Sequence, residues 1–410
     1  MDGFFVTEFC ILLVEGTYQN GIFYVSRLGQ PLQEERQTSL HAIQQQLSHP
    51  YYQSTISSSS SSSLSLSPFV ILSDVHMDQP RVVQQLESLF ATYENYSIHR
   101  LPCFVLMGNF CSPISHQSQQ VQQQQQKSSY YDTSSNSTSR IVAAMEELMI
   151  LIEKFPKLAR WAHFCIIPGS NDYDFLGSSH LHILPYPPLD KVIRTSITSI
   201  SASKNITNLQ YGSNPCRIRY AGYEIVAFRY DLLHLMQQNQ LVTQKKIENL
   251  ELDLSSSMDD TDDNNENHHR LPHCRLVKTI LDQGHLIPVS NVPIYWNYDS
   301  ALRLYPLPDA LILGGDMNTN PYHEIYGGCQ VIHPGCFAHH STILNQKSST
   351  NNKNTNQNDN NNNMGGNYTV FTPGIVDPSS DDDEDISYTP NDKMSAVEFM
   401  QIGNTVGTSI

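Results

Sequence analysis

The 410-residue sequence has few charged side chains, and basic residues are the scarcer kind. Charged residues make up 16% of the chain, with 24 Lys and Arg against 40 Asp and Glu, for a formal net charge of −16. Sequence-independent binding to nucleic acid requires Lys and Arg side chains that displace counterions from the phosphates. The shortage of basic residues therefore argues against broad, direct binding of DNA or RNA by this chain.

Paired cysteines and long apolar runs are also missing. The eight cysteines include no CxxC pair, so their spacing predicts free, reduced thiols and no structural zinc site. No apolar run approaches the about 18 residues that a membrane-spanning helix needs. No basic segment precedes an apolar stretch at the N-terminus. We therefore expect no membrane partner.

Ser, Gln and Asn are abundant instead, and they cluster in runs. The sequence predicts a Ser-rich linker over 49–67, low-complexity insertions near 116–138 and 255–270, and an Asn-rich disordered insertion over 346–366. Such segments bury too little apolar surface to offset the entropy of ordering them. About 300 residues remain outside the runs, which is ample for a large core.

Between these runs, apolar strands alternate with amphipathic helices. Strand 68–72, helix 80–93 and strand 102–107 form one predicted β-α-β unit, and helix 140–154 with strand 163–167 completes a second. Further predicted elements are strands at 216–220, 223–228, 309–313, 329–337 and 367–371 and a helix at 274–282. Continuous apolar strands are typical of a sheet that is covered on both faces. The pattern predicts an α/β sandwich.

The N-terminal segment differs from the rest of the chain. Residues 3–43 are rich in aromatic and β-branched side chains, with glycines between them, which predicts about three short strands. Three strands do not close a sheet. We therefore expect this segment to be the end of a small β domain that begins upstream.

Polar side chains follow four of the predicted strands. They lie in the segments SDVHMD (73–78), MGNF (107–110), PGSND (168–172) and LGGDMN (313–318). Sites of α/β proteins gather at the C-terminal ends of sheet strands. Asp74 and His76 lie two residues apart, so they can face the same side of an extended segment.

These four segments resemble the metal-binding motifs of the calcineurin-like metallophosphoesterases. Active members use a DxH, a GD, a GNH with a following acid, an isolated His and a final GHxH to hold two metal ions, which bind the phosphate and generate the attacking hydroxide. Here the first motif survives as Asp74 and His76. Asn109 stands where the bridging Asp is expected, and a neutral amide cannot help to neutralise two divalent cations.

The other two motifs depart further from the active pattern. Ser170 and Asn171 replace the Asn and His of the third motif, and Gly314, Gly315 and Asp316 stand at the last one without either His. We therefore predict an inactive site with no catalytic, cofactor-binding or metal-ligating residue. Its vestigial positions are Asp74, His76, Asn109, Asn171 and Asp316. A divergent metal-dependent phosphoesterase is the alternative.

A narrower resemblance covers most of 68–345. The segments FVILSDVHMDQ, FVLMGNF, EIVAFRYDLL, PIYWNYDSALRLYPLPDALIL and HPGCF are similar to the second subunits of DNA polymerase epsilon. That family pairs an oligonucleotide/oligosaccharide-binding (OB) β-barrel with an inactive calcineurin-like phosphoesterase domain. The resemblance implies the C-terminal part of an OB-fold over 1–48 and the phosphoesterase-like domain over 68–345. Closing strands and an acidic tail segment of the same domain would follow over 367–410.

The resemblance also implies a function. It implies a non-catalytic accessory subunit of the DNA polymerase epsilon complex in chromosomal DNA replication, located in the nucleus. The subunit would dock on the C-terminal zinc-binding region of the catalytic subunit and connect it to other small subunits and to replicative helicase components. DNA would be contacted through the complex, polymerase activity would belong to the catalytic subunit, and no cofactor is implied for this chain.

Several residues keep two interpretations. Tyr295 and Trp296 are equally consistent with anchors for a partner and with packing between sheet and loop. His285 could approach the old metal cleft, although a loop histidine bonded to the backbone is the simpler interpretation. Three arginines alternate with apolar residues on predicted strands, where paired or solvated side chains are the default and contact with a partner is the alternative: Arg217, Arg219 and Arg229.

Overall fold

The computed structural model describes the chain in several stretches. They are residues 3–47, 67–112, 133–176, 183–189, 206–220, 223–241, 271–315, 320–338, 366–373, 395–402 and 404–409. The predicted linker and insertions at 49–66, 116–132, 255–270 and 346–365 lie outside them. Among the helices described, none combines the length and the apolarity that crossing a bilayer requires.

The described strands form a hairpin and two sheets. The hairpin consists of β1 (Leu13–Gln19) and β2 (Ile22–Gly29). The larger sheet has the spatial order β14 (Asn404–Ser409), β13 (Ala396–Gln401), β12 (Asn367–Thr372), β3 (Phe69–Ser73), β4 (Cys103–Met107), β5 (His163–Ile167) and β6 (Leu209–Tyr211). The smaller sheet has the order β10 (Tyr322–Tyr326), β11 (Cys329–His333), β9 (Ala310–Gly314), β8 (Tyr223–Arg229) and β7 (Cys216–Tyr220). Strands β3 to β6 are parallel, and so are β8, β9 and β11, so each sheet gathers several C-terminal strand ends at one edge.

The two sheets pack face to face. Alternate strand residues point to opposite faces of a sheet. One set of buried residues from β3, β4 and β5 shares a single apolar cluster with buried residues from β8, β9 and β11. The intervening residues of the same strands belong to a larger cluster that also contains the helices. The predicted α/β sandwich flanked by helices is confirmed.

Six helices of the described residues accompany the sheets. They are α1 (Arg36–Leu47), α2 (Pro80–Glu94), α3 (Thr133–Glu153), α4 (Pro156–Trp161), α5 (Leu232–Gln238) and α6 (Pro272–Gln283). Helices α2 and α6 begin with proline, which lacks the N–H that a first-turn residue would leave unbonded. Gly284 ends α6 in the left-handed region with φ of 60°, as a C-terminal glycine commonly does.

The N-terminal segment only partly follows the expectation of short strands. Asn20 and Gly21 form the tight turn of the β1–β2 hairpin, both with positive φ, as the Asn-Gly pair favours. The prediction of short strands also includes residues 36–43, but these lie in α1. That part of the prediction is wrong, because Ala, Leu and Gln in 36–47 favour a helix once the aromatic pattern ends.

Other predicted boundaries also shift. Helix α3 begins inside the predicted insertion 116–138, because its first turns are polar and carry no apolar period. The sequence pattern misses four elements of at most seven residues: α4, α5, β6 and β10. Such elements are too short to show a period. The two strands after the acidic run, β13 and β14, pair antiparallel and extend the larger sheet beyond β12.

Candidate functional site

The candidate site lies where parallel strands of both sheets end. The loops after β3, β4 and β5 carry the first three motifs, and β8 and β9 end beside them. Asp74 follows β3 directly and is fully buried. Its φ of 59° lies in the left-handed region, which aspartate tolerates better than most residues. The backbone turn aims the carboxylate at the loop after β4.

Asp74 accepts hydrogen bonds on both carboxylate oxygens. The Ser73 hydroxyl donates to Oδ2 at 2.9 Å, and the backbone N–H of Asn109 approaches Oδ1 at 3.4 Å. The Arg229 guanidinium donates to Oδ1 at 2.5 Å. The side chains of Arg229 and Asp74 are 2% and 0% exposed, so this ion pair is buried.

Arg229 is the last residue of β8, and its guanidinium is held at three points. Besides Asp74, its Nε donates to the carbonyl of Gly108 at 3.0 Å, and its Nη1 lies 3.2 Å from Asp231 Oδ1. Burial by itself lowers the pKa of this guanidinium, but the two carboxylates outweigh burial and raise the pKa of Arg229. The side chain is therefore a permanent cation at the centre of the cluster.

This cation decides how well the cluster fits a metal ion. A divalent ion bound to Asp74 would lie roughly 4 Å from the guanidinium, which costs about 8 kcal/mol of repulsion at an effective dielectric of about 20. Asp231 is half exposed, so its charge is screened by solvent. Asn109 and Asn171 add only neutral amides. With Arg229 in place, the described donors do not fit a metal ion on Asp74.

Asp172 joins the loops after β4 and β5. The backbone N–H groups of Phe110 and Gly169 donate to its two oxygens at 2.8 and 2.7 Å. Burial raises the pKa of this carboxyl to about 7, against the opposing effect of the two N–H bonds and of Arg229. Gly108 lets the loops approach, because a Cβ there would lie 2.1 Å from Asp172 Oδ2 and 2.4 Å from the Gly169 nitrogen.

The Asn109 side chain bonds the loop after β5, whereas the Asn171 side chain contacts a residue of its own loop. The Asn109 Oδ1 accepts the backbone N–H of Asn171 at 2.9 Å, and the Ser170 hydroxyl lies 3.3 Å from the Asn171 Oδ1. The Asn109 amide therefore connects the two loops. At the position where the resemblance implies a bridging carboxylate, the amide oxygen of Asn109 is occupied by a backbone donor.

Two buried histidines border the cluster, and both are neutral. His76 is 1% exposed; its Nδ1 lies 3.3 Å from Gln79 Nε2, and burial lowers its pKa. His333, at the end of β11, accepts the Gly335 N–H on Nδ1 and donates from Nε2 to the Gly315 carbonyl at 2.9 Å. Burial lowers the pKa of His333 to about 4. Neither imidazole adds charge at neutral pH.

The structure brings together four of the five vestigial positions. Asp74, His76, Asn109 and Asn171 lie at adjoining strand ends, whereas Asp316 lies outside the described residues. His285 takes no part in the cluster. Its Nδ1 accepts the N–H of Ile287 and its Nε2 lies 3.2 Å from Asp299, so the interpretation as a loop histidine is confirmed.

Arg229 is the central residue that the sequence pattern does not single out. The pattern groups it with Arg217 and Arg219 as a strand-face arginine, and Arg217 indeed pairs with Glu224 at 2.7 Å. The available signal is the strand itself, because β8 is buried along nearly its whole length. An arginine that ends a buried strand needs a buried carboxylate partner.

Comparison with known proteins places the chain in a family. The profile of the B-subunit family of DNA polymerases alpha and epsilon matches residues 69–322. This range contains β3 to β9 and the loops with Asp74, Asn109, Asp172 and Arg229. The chain belongs to this DNA polymerase alpha/epsilon B-subunit family.

Individual relatives carry the more specific name of the epsilon enzyme. The DNA polymerase epsilon B-subunit of Arabidopsis thaliana is 33% identical over 363 residues, which cover 85% of this chain and 58% of the relative. DNA polymerase epsilon subunit 2 of Homo sapiens is 31% identical over 340 residues, with 81% and 54% covered. The chain thus spans little more than half the length of these two relatives.

One solved structure offers a looser comparison. An archaeal phosphodiesterase aligns with 74% of this chain and 92% of its own length at 11% identity, with a TM-score of 0.27. Because the TM-score is so low, the alignment supports no conclusion about fold or activity.

Proposed function

We propose that the chain is a non-catalytic accessory subunit of the DNA polymerase epsilon complex in chromosomal DNA replication. The observation that carries the proposal is the buried Arg229–Asp74 ion pair, in a chain that belongs to the B-subunit family. The resemblance implies a phosphoesterase-like cleft in which the carboxylate at position 74 would bind a metal ion. In this chain the Asp74 carboxylate is neutralised by Arg229 instead. The chain then contributes surface and shape, and polymerase activity belongs to the catalytic subunit.

The absence of phosphoesterase activity has a direct test. Purified chain is incubated with Mn²⁺ and an aryl phosphate or an aryl bis-ester, and we expect no turnover above a protein-free control. Turnover that is lost in Asp74→Ala and in His76→Ala would establish the divergent phosphoesterase and overturn the proposal. The activity of a contaminating phosphatase would persist in both variants. The two variants therefore distinguish turnover by this chain from turnover by a contaminant.

The catalytic subunit's C-terminal zinc-binding region is the proposed direct partner. Four exposed aromatic side chains within residues 295–305 support docking: Tyr295, Trp296, Tyr298 and Tyr305. Trp296 is 82% exposed, which favours its interpretation as a partner anchor over packing inside the chain. Aromatic side chains are enriched among the residues that dominate binding energies. Other small subunits and replicative helicase components would connect through the same assembly.

Docking is tested by co-purification of the chain with the C-terminal region of the catalytic subunit. We expect a stoichiometric complex, and its dissociation constant should rise at least tenfold in Trp296→Ala, which corresponds to about 1.4 kcal/mol. Trp161→Ala is the matched control, because Trp161 is the other tryptophan and is half exposed on α4. Failure of the folded chain to form any complex would refute the proposed role.

The N-terminal hairpin is proposed as the end of an OB-fold over 1–48, before the phosphoesterase-like domain over 68–345 and its closing strands over 367–410. Both faces of β1 and β2 are exposed, and they carry many apolar side chains: Leu13, Val14, Tyr18, Ile22, Phe23, Tyr24 and Val25. Replacing 13–29 by a short glycine linker should leave the unfolding transition of the two-sheet body in place. Loss of that transition would make the hairpin part of the same domain.

A nuclear location and contact with DNA through the complex complete the proposal. The formal net charge of −16 argues that the chain alone holds DNA weakly, because basic side chains supply most of the sequence-independent affinity. At physiological salt we expect no band shift with the chain alone and a clear shift with the assembled polymerase. A tight shift with the chain alone would contradict this part.

A further inference from the structure

A second cluster of metal-ligating side chains lies away from Arg229, between α6 and β10. His273 and Cys274 belong to the first turn of α6, and Glu324 is the middle residue of β10. The His273 Nε2 lies 3.2 Å from Glu324 Oε1, and the Cys274 Sγ lies 3.4 Å from the same oxygen. One ligand atom from each residue lies within 4.8 Å of the other two.

These separations approach those of a tetrahedral zinc site. Zinc binds imidazole nitrogen and carboxylate oxygen at about 2.1 Å and thiolate sulfur at about 2.3 Å, so neighbouring ligand atoms lie about 3.4–3.6 Å apart. The two shorter separations of the cluster are within about 0.2 Å of these values. Glu324 Oε1 therefore lies at about ligand-to-ligand distance from both the imidazole nitrogen and the sulfur, and the third separation is within 4.8 Å.

The kinds of ligand atom narrow the choice of ion. A sulfur, a nitrogen and an oxygen suit a borderline-soft divalent ion, whereas Mg²⁺ and Ca²⁺ prefer oxygen throughout. One thiolate and one carboxylate together balance the two charges of Zn²⁺.

A neighbouring aromatic side chain orients one of the ligands. The ring of Tyr322 stacks on His273 at 4.6 Å, and Tyr322 lies two residues before Glu324 on the same strand. The guanidinium of Arg275 lies over the Phe5 ring at 4.5 Å. Stacking fixes the plane of the imidazole, as supporting contacts do in metal sites. Arg275, the residue after Cys274, also donates to the Phe4 carbonyl at 3.2 Å.

We propose that His273, Cys274 and Glu324 form a three-ligand Zn²⁺ site that ties the start of α6 to the edge strand β10. The side chains of His273 and Glu324 are 23% and 19% exposed, so water completes the fourth position. The site would brace the contact between helix and sheet. It differs from the Arg229 cluster in its residues and in its position.

Metal binding to the untagged full chain tests this site. Chelator-treated protein is titrated with Co²⁺, whose thiolate charge-transfer absorption reports a cysteine ligand, and is then challenged with Zn²⁺ alone. We expect one Co²⁺ per chain, displaced by one Zn²⁺. Cys274→Ser should abolish the absorption, and Glu324→Gln and His273→Gln should each weaken binding at least tenfold.

Matched controls keep the result interpretable. Cys10→Ser removes another partly exposed thiol, and Glu87→Gln removes an exposed carboxylate on α2; both should bind Co²⁺ like the unaltered chain. Circular dichroism checks that each variant is folded. If one of the three ligand variants is unfolded, the other two ligand variants carry the comparison. Lack of the absorption in the folded, unaltered chain would overturn the proposal, and so would its persistence in Cys274→Ser.

Discussion

Two clusters of this molecule place a carboxylate close to a histidine in different electrostatic surroundings. At the strand ends, Asp74 is neutralised by the guanidinium of Arg229, which takes the place of an external cation. Between α6 and β10, Glu324 faces a thiol and an imidazole. The comparison teaches that a carboxylate beside a histidine predicts little about metal binding until the fixed charges around it are known.

The largest expected effect comes from removing the cation of the first cluster. Arg229→Ala leaves Asp74 buried without its partner, and breaking such a pair typically costs 3–5 kcal/mol, so we expect a loss of about that size. Arg217→Ala is the control, because its pair with Glu224 is partly exposed and is worth about 1 kcal/mol or less. Urea denaturation measures both. Equal losses would show that the Arg229 pair is not special.

The pH dependence of the free energy of unfolding tests the buried, neutral state of His333, which borders the first cluster. Burial lowers the pKa of His333 from 6.5 to about 4, so between these values the unfolded chain binds the extra proton. The free energy of unfolding should therefore fall by up to about 3 kcal/mol more than in His333→Gln as the pH drops from 6.5 to 4. Parallel profiles of the two proteins would contradict the buried, neutral imidazole.

A glycine substitution tests how tightly the first cluster is closed. Gly108→Ala places a Cβ against Asp172 and the backbone of Gly169, and overpacking of this kind costs about 1–3 kcal/mol. Gly29→Ala is the matched control, because no atom lies within 4 Å of a Cβ at that position. Thermal denaturation of the two variants should show a lower melting temperature for Gly108→Ala alone. A tolerated Gly108→Ala would mean that the loops after β4 and β5 can separate.

The smallest expected effect is that of His76→Gln, which should leave the stabilisation by added Zn²⁺ unchanged. If Zn²⁺ binds only between α6 and β10, added Zn²⁺ should raise the melting temperature of the unaltered chain through mass action, and equally that of His76→Gln. The same rise should vanish in Cys274→Ser. A rise that disappears in His76→Gln would show that the strand-end cluster holds an ion in spite of Arg229, and would reverse the comparison.

The grouping of the strand-end residues could be predicted from the sequence. Parallel strands deliver their C-terminal ends to one edge, so motifs after β3, β4 and β5 had to meet there. The partner of Asp74 could not be predicted in the same way. Arg229 lies 155 positions along the chain from Asp74 and in the opposite sheet, so only the packing of the two sheets reveals the pair.

The cluster of His273, Cys274 and Glu324 could not be predicted from residue spacing, for a related reason. Cys274 and Glu324 are 50 positions apart, and β10 is too short to show a period. The expectation that no zinc site exists rests on the lack of a CxxC pair, which tests only local ligand spacing. A mixed ligand set supplied by a helix and an edge strand leaves no such local signature.

The Arg229–Asp74 pair also has an evolutionary consequence. A single replacement of Arg229 by a metal ligand would leave Asp74 as an uncompensated buried charge before any ion could bind with useful affinity. A two-metal site here would need at least this replacement and a carboxylate at Asn109. Because the first of these changes would disturb a buried, internally neutralised cluster, the guanidinium makes Asp74 costly to convert into a metal ligand one substitution at a time.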